Sequence, residues 1–363
     1  MAFILRFSNV FTKQSCSKYH CFFKEFSVRR NLKFIIALII GLSVAALLGK
    51  FAWSKYVDHL TAKEQLRVES LIAAAEPAKR PNRINAETLI ADIRWLSHDD
   101  RQGRAPDTEG GIAARNFIIE RFNALQLTPA GTENFEHAFT VPDNKTAVNV
   151  LARIEGQQPS LRTIVITAHY DHVGVHEGRI YNGADDNASG TATLLAIAEY
   201  LSEHQPQHNV LLAALDAEEN GLRGAKALFE TGLLTPDAIA FNLNLDMLSR
   251  DTDNLLFAVG SYHTPWLVPL IDRAQAESAV KLIAAYDRPR SEAGDTPDWT
   301  TASDHAPFHL RGIPFIYLGV PDHPDYHQPT DTFENVDIDF FHASAETALS
   351  VFKVVDLVLA EKE

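Results

Sequence analysis

Several side chains able to hold a metal or move a proton stand just after apolar or β-branched runs. The run at 163–168 leads into His169-Tyr170-Asp171, and the run at 210–215 into Asp216-Ala217-Glu218-Glu219-Asn220-Gly221. The run at 238–245 ends at Asp246, and the run at 314–318 leads to Tyr326-His327. A turn-rich loop, Asn182-Gly183-Ala184-Asp185-Asp186-Asn187-Ala188-Ser189-Gly190, opens a helical stretch. One such placement is unremarkable; five deliveries of His, Asp or Glu to the same kind of position are a pattern.

The chemistry this pattern suits is a pair of zinc ions. Zinc takes imidazole and carboxylate ligands near ~2 Å and keeps a position open for water when it is catalytic. Two ions about 3.5–4 Å apart can share one carboxylate and one hydroxide. Such a centre uses two His, two terminal carboxylates and one bridging carboxylate, and it leaves one further carboxylate free to move protons. Glu218 and Glu219 suit that division, because adjacent residues in an extended segment or tight turn point in different directions. His169-x-Asp171 fits a ligand and its support, since a ligating His commonly donates its other N–H to a carboxylate. The only cysteines are Cys16 and Cys21. The main domain therefore has neither a disulfide nor a thiolate zinc site, and any metal there must be held by His, Asp and Glu.

These residues need a scaffold. Apolar runs at 147–154, 163–168, 210–215, 238–245, 255–259 and 314–318 alternate with helical stretches such as 190–204 and 336–360. Asn85 can cap a helix through Ile93 and Leu96, and an amphipathic pattern at 111–125 places Ala114, Phe117, Ile118, Phe122 and Leu125 on one face. The alternation predicts an α/β fold with a largely parallel sheet covered by helices on both faces. In open α/β sheets, sites form beyond the carboxyl ends of the strands, where these residues stand.

The N-terminal region reads differently. Residues 34–49 form a charge-free apolar run; Lys50 interrupts it and Phe51-Ala52-Trp53 extends it. The stretch approaches the ~20 residues that cross a bilayer. Ahead of it stand Arg6, Lys13, Lys18, Lys24, Arg29, Arg30 and Lys33 against one acid, Glu25. The positive-inside rule then keeps the N-terminus cytoplasmic and exports the remainder. A cleaved signal peptide is the alternative, but no clean A-x-A site follows the run. The expected organisation is a cytoplasmic basic segment (1–33), a transmembrane signal anchor (34–53), a polar stalk broken by Pro77 and Pro81 (54–84) and a catalytic domain (85–363). This puts the protein in the inner or plasma membrane, with its catalytic domain periplasmic or extracellular. The 363 residues carry a net charge of −14, with 46% apolar and 22% charged residues. That composition fits a globular enzyme and argues against a nucleic-acid surface.

The segments HYDH (169–172), NGADDNASG (182–190), AEENGLRGA (217–225), NLDM (244–247), SDHAPF (303–308) and YHQPTDT (326–332) resemble those of the co-catalytic zinc aminopeptidases. Relatives of that family include glutaminyl cyclases, glutamate carboxypeptidases and the transferrin-receptor ectodomain. LSHDDRQGR (96–104) is similar to a further family segment, and the resemblance runs from about Leu89 to the C-terminus. It implies a mixed, mostly parallel twisted sheet sandwiched by helices, the phosphorylase/hydrolase-like fold of zinc-dependent exopeptidases. It further implies two Zn²⁺, with His169 and Asp246 on one, Glu219 and His327 on the other, and Asp186 bridging. Glu218 would be general base and then general acid, Asp171 would support the ligands, and Tyr326 would face the developing oxyanion. The peptide after the bridging acid is often cis in this family.

The implied activity is release of N-terminal residues from peptides by metal-activated water. Three other readings stay open. A glutaminyl cyclase shares the scaffold but works with one zinc. A carboxypeptidase needs a basic pocket, for which Arg250, Arg288 and Arg290 are the sources. A receptor-like ectodomain would have lost its ligands. Asp185 competes with Asp186 for the bridging role. Asp304 and His305 read as loop-organising residues. His98, His172, His176, His263, His309 and His323 read as solvated or hydrogen-bonded structural residues, and the loop 287–301 as a wall that sets specificity.

Overall fold

The structure is a computed structural model that describes residues 18–159 and 161–362. Arg6, Lys13 and Cys16 lie outside the described residues. The chain divides into two compact units between His59 and Leu60. A single helix, Lys18–Ala74, runs across this boundary. Its part from Arg30 onward is long and apolar enough to cross a membrane, with Phe34, Ile39, Leu42 and Leu47 exposed. The helix continues well beyond the apolar run because residues 54–74 are rich in Lys, Glu, Leu, Arg and Ala, which lose little on entering a helix. It stops short of Pro77, which disfavours helical backbone at the preceding residue. Within the second unit, Val68 packs with Leu255, Phe257, Ile283 and Ala285.

The second unit is built on a nine-stranded sheet. The strands in chain order are β1 (Thr128–Pro129), β2 (Glu136–Val141), β3 (Lys145–Ile154), β4 (Thr163–His169), β5 (Gly174–His176), β6 (Arg179–Tyr181), β7 (Val210–Leu215), β8 (Ile239–Leu245), β9 (Leu255–Val259), β10 (Lys281–Ala284) and β11 (Phe315–Gly319). The spatial order is β1-β3-β7-β4-β8-β11-β9-β10; β2 also pairs with β3, and β5 and β6 form a separate hairpin. The central strands β7, β4, β8 and β11 run parallel. The flanking pairs β3–β7 and β9–β11 are antiparallel. Four strand pairs are parallel and four antiparallel, so the sheet is mixed, as the resemblance implies, and the largely parallel arrangement expected from the alternation holds at its centre.

The four central strands carry almost wholly buried runs, such as Val210–Leu215 and Ile239–Leu245, as strands covered on both faces must. One face packs against the helices Ala86–Leu96, Glu109–Ala124, Gly190–Glu203, Val268–Gln275 and Ile338–Ala360 through a single large apolar cluster. The other face meets the helix Arg223–Glu230 and Phe308. Asn85 caps its helix as the sequence suggests, accepting from the backbone N–H of Glu87 and Thr88. The parallel strands end together, so their C-terminal residues emerge on one edge.

Candidate metal centre

His169 is the last residue of β4, and Asp246 follows β8 directly. His169 Nε2 lies 3.3 Å from Asp246 Oδ1 and 3.3 Å from Asp186 Oδ1. The second carboxylate oxygen of Asp186 faces elsewhere: His327 Nε2 is 3.0 Å from Oδ2. The same His327 nitrogen is 3.2 Å from Glu219 Oε2. Two groups of donor atoms thus meet at Asp186, one on each of its oxygens. A tetrahedral zinc with bonds of ~2.0–2.1 Å has ligand–ligand edges of about 3.3 Å. The separations of each imidazole from its two carboxylates, 3.3 and 3.3 Å in one group and 3.0 and 3.2 Å in the other, are close to that edge.

The charge balance points the same way. The carboxylates of Asp186 and Glu219 push the His327 imidazole up to about 10 through their hydrogen bonds. Burial works to raise the Asp186 carboxyl, yet His172, His169 and His327 hold it well below the usual carboxylate range. A buried set of imidazoles and acids that attracts positive charge this strongly fits a bound cation.

The loop 183–190 that carries Asp186 is fixed from several sides. Asp331 accepts the backbone N–H of Asp185 at 3.0 Å and of Asp186 at 3.1 Å. The Asn187 side chain donates to the Leu245 carbonyl and accepts from the N–H of Gly190 and Met247, tying the loop to the end of β8. The Asp186–Asn187 peptide is cis. Asp185 is turned away: Oδ1 accepts from the N–H and hydroxyl of Ser249, and Oδ2 from His323 Nε2. Of the two neighbouring acids, Asp186 is therefore the one facing the donor groups.

Asp171 and Arg104 hold the surroundings. Asp171 Oδ1 accepts the Glu218 N–H at 3.1 Å, so this acid contacts the β7 loop, and His169 Nδ1 lies 3.1 Å from the Asp171 carbonyl oxygen. Arg104 is fully buried and donates to the carbonyls of Tyr170, Leu96, Asn182 and Gly183. Burial lowers this guanidinium to about 10, so it keeps its charge at neutral pH. It joins the loop after β4 to the Asp186 loop, a role the sequence does not reveal beyond its place in LSHDDRQGR.

Glu218 lines the cleft over the donor groups but belongs to neither. Burial raises its carboxyl well above the usual range; His169 opposes this, and Asp304, Asp246 and Glu219 add to it. Trp299, Tyr317, Met247, Val320 and Tyr326 wall the same cleft, with exposed Asp322 beside them. The Tyr326 ring stacks on His327 at 4.0 Å. Among the described residues no Lys or Arg lines the cleft. Arg250 pairs with Asp325, Arg290 with Asp295, and Arg288 with Glu292 and Glu64. His305 Nε2 lies 2.9 Å from the Trp299 carbonyl oxygen and its ring stacks on Tyr317, which organises the loop at Trp299. Burial raises Asp304 to about 8.

Most of the histidines read as structural are so placed. His98, His176, His263 and His323 each have a hydrogen-bond partner, and His309 packs on His263 and Phe315. His172 differs. It is buried against Glu219 and Asp186, within the group of potential metal ligands formed with His327. The signal available in the sequence was its place three residues after His169 at a strand end.

The chain is similar to several known proteins. A "Probable zinc metalloprotease" of Pyrenophora tritici-repentis is 33% identical over 156 residues, covering 40% of this chain and 32% of that protein. "Leucine aminopeptidase 1" of Grosmannia clavigera is 27% identical over 268 residues, 70% of this chain and 64% of that one. The chain thus spans about a third of the length of the first relative and less than two thirds of the second. Among solved structures, the glutaminyl cyclase of Porphyromonas gingivalis superposes with a TM-score of 0.62 at 17% identity, covering 75% of this chain and 99% of that one. The sequence model of peptidase family M28 matches residues 149–352, more than half of the chain and all of the donor set just described, and the protein belongs to that family.

Proposed function

We propose that this protein is a zinc aminopeptidase with two metal positions, which removes N-terminal residues from peptides. The observation that carries the reading is Asp186, whose two oxygens each face a separate donor group while Glu218 stands in the same cleft outside both. His169, Asp186 and Asp246 would hold one Zn²⁺, and Asp186, Glu219 and His327 the other. Zinc, when bound, supplies Lewis acidity and a water acidic enough to attack near neutral pH.

The remaining steps belong to the protein. Glu218 takes the proton of the attacking water and returns it to the leaving amine; its raised affinity for a proton suits both tasks. Asp171 fixes Glu218 by accepting its N–H. Tyr326, beside His327, offers a hydroxyl to the developing oxyanion. The cleft favours a free ammonium over a free carboxylate, because its lining carries the carboxylates of Asp186, Glu218, Asp246 and Asp322 and no Lys or Arg among the described residues. Each arginine that a carboxypeptidase would require is paired with an acid instead. The apolar walls suit an apolar first side chain. The aminopeptidase name of a relative agrees with this choice.

The apolar helix from Arg30 tethers the protein in a membrane, with the basic residues ahead of it cytoplasmic and the peptidase unit on the far side. The domain plan is a basic segment at 1–33, an anchor at 34–53, a stalk that ends near His59 in place of 84, and from Leu60 the unit that carries the peptidase.

The test is hydrolysis of aminoacyl-anilides by the full-length protein in detergent, beside Glu218→Gln. The parent should release the anilide, and the variant should lose about 10²–10⁴-fold in kcat with its zinc content unchanged. Activity that persists in the variant, or that survives removal of metal by a chelator, would refute the mechanism. Release of ammonia from an N-terminal Gln peptide in place of hydrolysis would assign a cyclase.

A further inference from the structure

His172 sits in the loop leaving β4. Its side chain is fully buried, and neither ring nitrogen has a hydrogen-bond partner among the described residues. A buried polar group left unpaired costs about 1–3 kcal/mol, so the ring's surroundings call for something beyond the neighbouring protein atoms. Nδ1 lies 2.7 Å from Glu219 Oε1 and 3.7 Å from Asp186 Oδ2. Glu219 Oε1 is also buried without a hydrogen-bond partner. The short approach is therefore a close contact in which the ring N–H direction misses the oxygen, since a hydrogen bond needs near-linear geometry. Two unpartnered atoms this close, each aimed past the other, are placed like two ligands of one cation.

The distances support that placement. Around the same point, His327 Nε2 is 3.0 Å from Asp186 Oδ2 and 3.2 Å from Glu219 Oε2. Together with the 2.7 and 3.7 Å separations, these bracket the edge of about 3.3 Å of a tetrahedral zinc. One donor atom from each of His172, Asp186, Glu219 and His327 lies within 4.8 Å of the others. The backbone also makes room for the ring: a Cβ at Gly183 would stand 2.5 Å from His172 Cγ, so the loop carrying Asp186 closes onto the imidazole only with glycine there.

We propose that His172 is a fourth protein ligand, through Nδ1, of the metal held by Asp186, Glu219 and His327. The inference rests on the metal-centre reading above and sharpens it. With four protein ligands this position is closed, as structural zinc sites are. The position of His169, Asp186 and Asp246 has three, and so keeps an open place for water. The two metals then divide the work: the closed one is retained tightly and fixes the Asp186 bridge, and the open one exchanges more readily and faces the substrate.

The test is competition of the full-length protein in detergent with a chromophoric zinc chelator, for the parent, His172→Phe and His172→Gln, with His176→Gln as a control outside the site. The parent should show two affinities. The tighter should weaken by more than about 100-fold in both His172 variants, the upper range for disturbing a ligand's surroundings, with the weaker one little changed. Glutamine keeps an N–H donor but is a poor zinc ligand, so parental affinity in His172→Gln would reduce His172 to a hydrogen-bond donor to Glu219 and overturn the proposal. Unchanged binding in His172→Phe would overturn it too. X-ray absorption at the zinc edge of the parent needs no variant: three imidazoles shared between two zinc ions support the proposal, and two overturn it. A parent with a single zinc that His172→Phe weakens would refute the two-metal reading alone and leave His172 as a ligand.

Discussion

Replacing Arg104 by lysine is predicted to destabilise the fold by about 3–6 kcal/mol. The guanidinium makes four hydrogen bonds to backbone carbonyls, at 2.7 Å to Tyr170, 2.9 Å to Leu96, 2.5 Å to Asn182 and 2.8 Å to Gly183. Hydrogen bonds to a charged group are worth about 1.5–3 kcal/mol each. They leave the planar fork from three different nitrogens, and a lysine ammonium has one. We therefore count about two of the four as lost, and the carbonyls left behind are buried. A loss of that size takes a large share of the ~5–15 kcal/mol that holds a typical domain. The assay is guanidinium unfolding of parent and Arg104→Lys, both stripped of metal so that zinc affinity does not enter, followed by near-ultraviolet circular dichroism. Hydrogen exchange should quicken at residues 170–172 and 182–186, the two loops the side chain joins. A variant within about 0.5 kcal/mol of the parent, the range usual for surface substitutions, would refute the reasoning.

Three further outcomes are expected. Asp331→Ala frees the backbone N–H groups of Asp185 and Asp186, and zinc affinity measured by chelator competition should fall by about 10–100-fold. Asp322 is exposed on the cleft and makes no ion pair among the described residues, so Asp322→Asn should raise KM for aminoacyl-anilides by up to about five-fold, the worth of an exposed ion pair, with kcat nearly constant. Burial raises the Asp92 carboxyl to about 6, against the opposing effect of Arg121. Because the folded value exceeds the unfolded one, this group weakens the fold as pH rises from about 4 through 6. The stability difference between parent and Asp92→Asn should therefore change by at most about 3 kcal/mol across that window and stay flat above it.

Much of the fold was legible because parallel central strands must be apolar on both faces. Val210–Leu215 and Leu255–Val259 are read from the sequence at their observed bounds. The strands at the edges are harder to read. β2 alternates in burial under only partial cover, and β10 is four residues long, too short for periodicity to separate it from a loop. The hairpin of β5 and β6 has three residues per strand. The helix Arg223–Glu230 begins within the glycine-containing motif that follows Glu219, where a turn is equally consistent with the residues. The long N-terminal helix is visible only in its apolar part, because hydropathy detects a span and is silent where polar helix formers continue it.

The donor residues were legible for a different reason. A strand end fixes position, so His169 and Asp246 could be assigned to the carboxyl edge of the sheet before any contact was known. Which neighbour faces inward is not a property of spacing. Asp185 and Asp186 are separated by the hydrogen bonds that Ser249 and His323 give to the first. In the sequence His172 reads as structural, because a lone imidazole usually is, and only the approach of Glu219 from another strand end changes its meaning. Arg104 lies far from the donor residues in sequence, and nothing local announces that its side chain turns inward to four carbonyls.

The centre itself can be seen directly. Crystals of the protein grown with Zn²⁺, measured on either side of the zinc absorption edge, should show two anomalous peaks about 3.5–4 Å apart. One peak should lie at each oxygen of Asp186, with Glu218 bound to neither. A single peak, or two peaks that do not flank Asp186, would contradict the account.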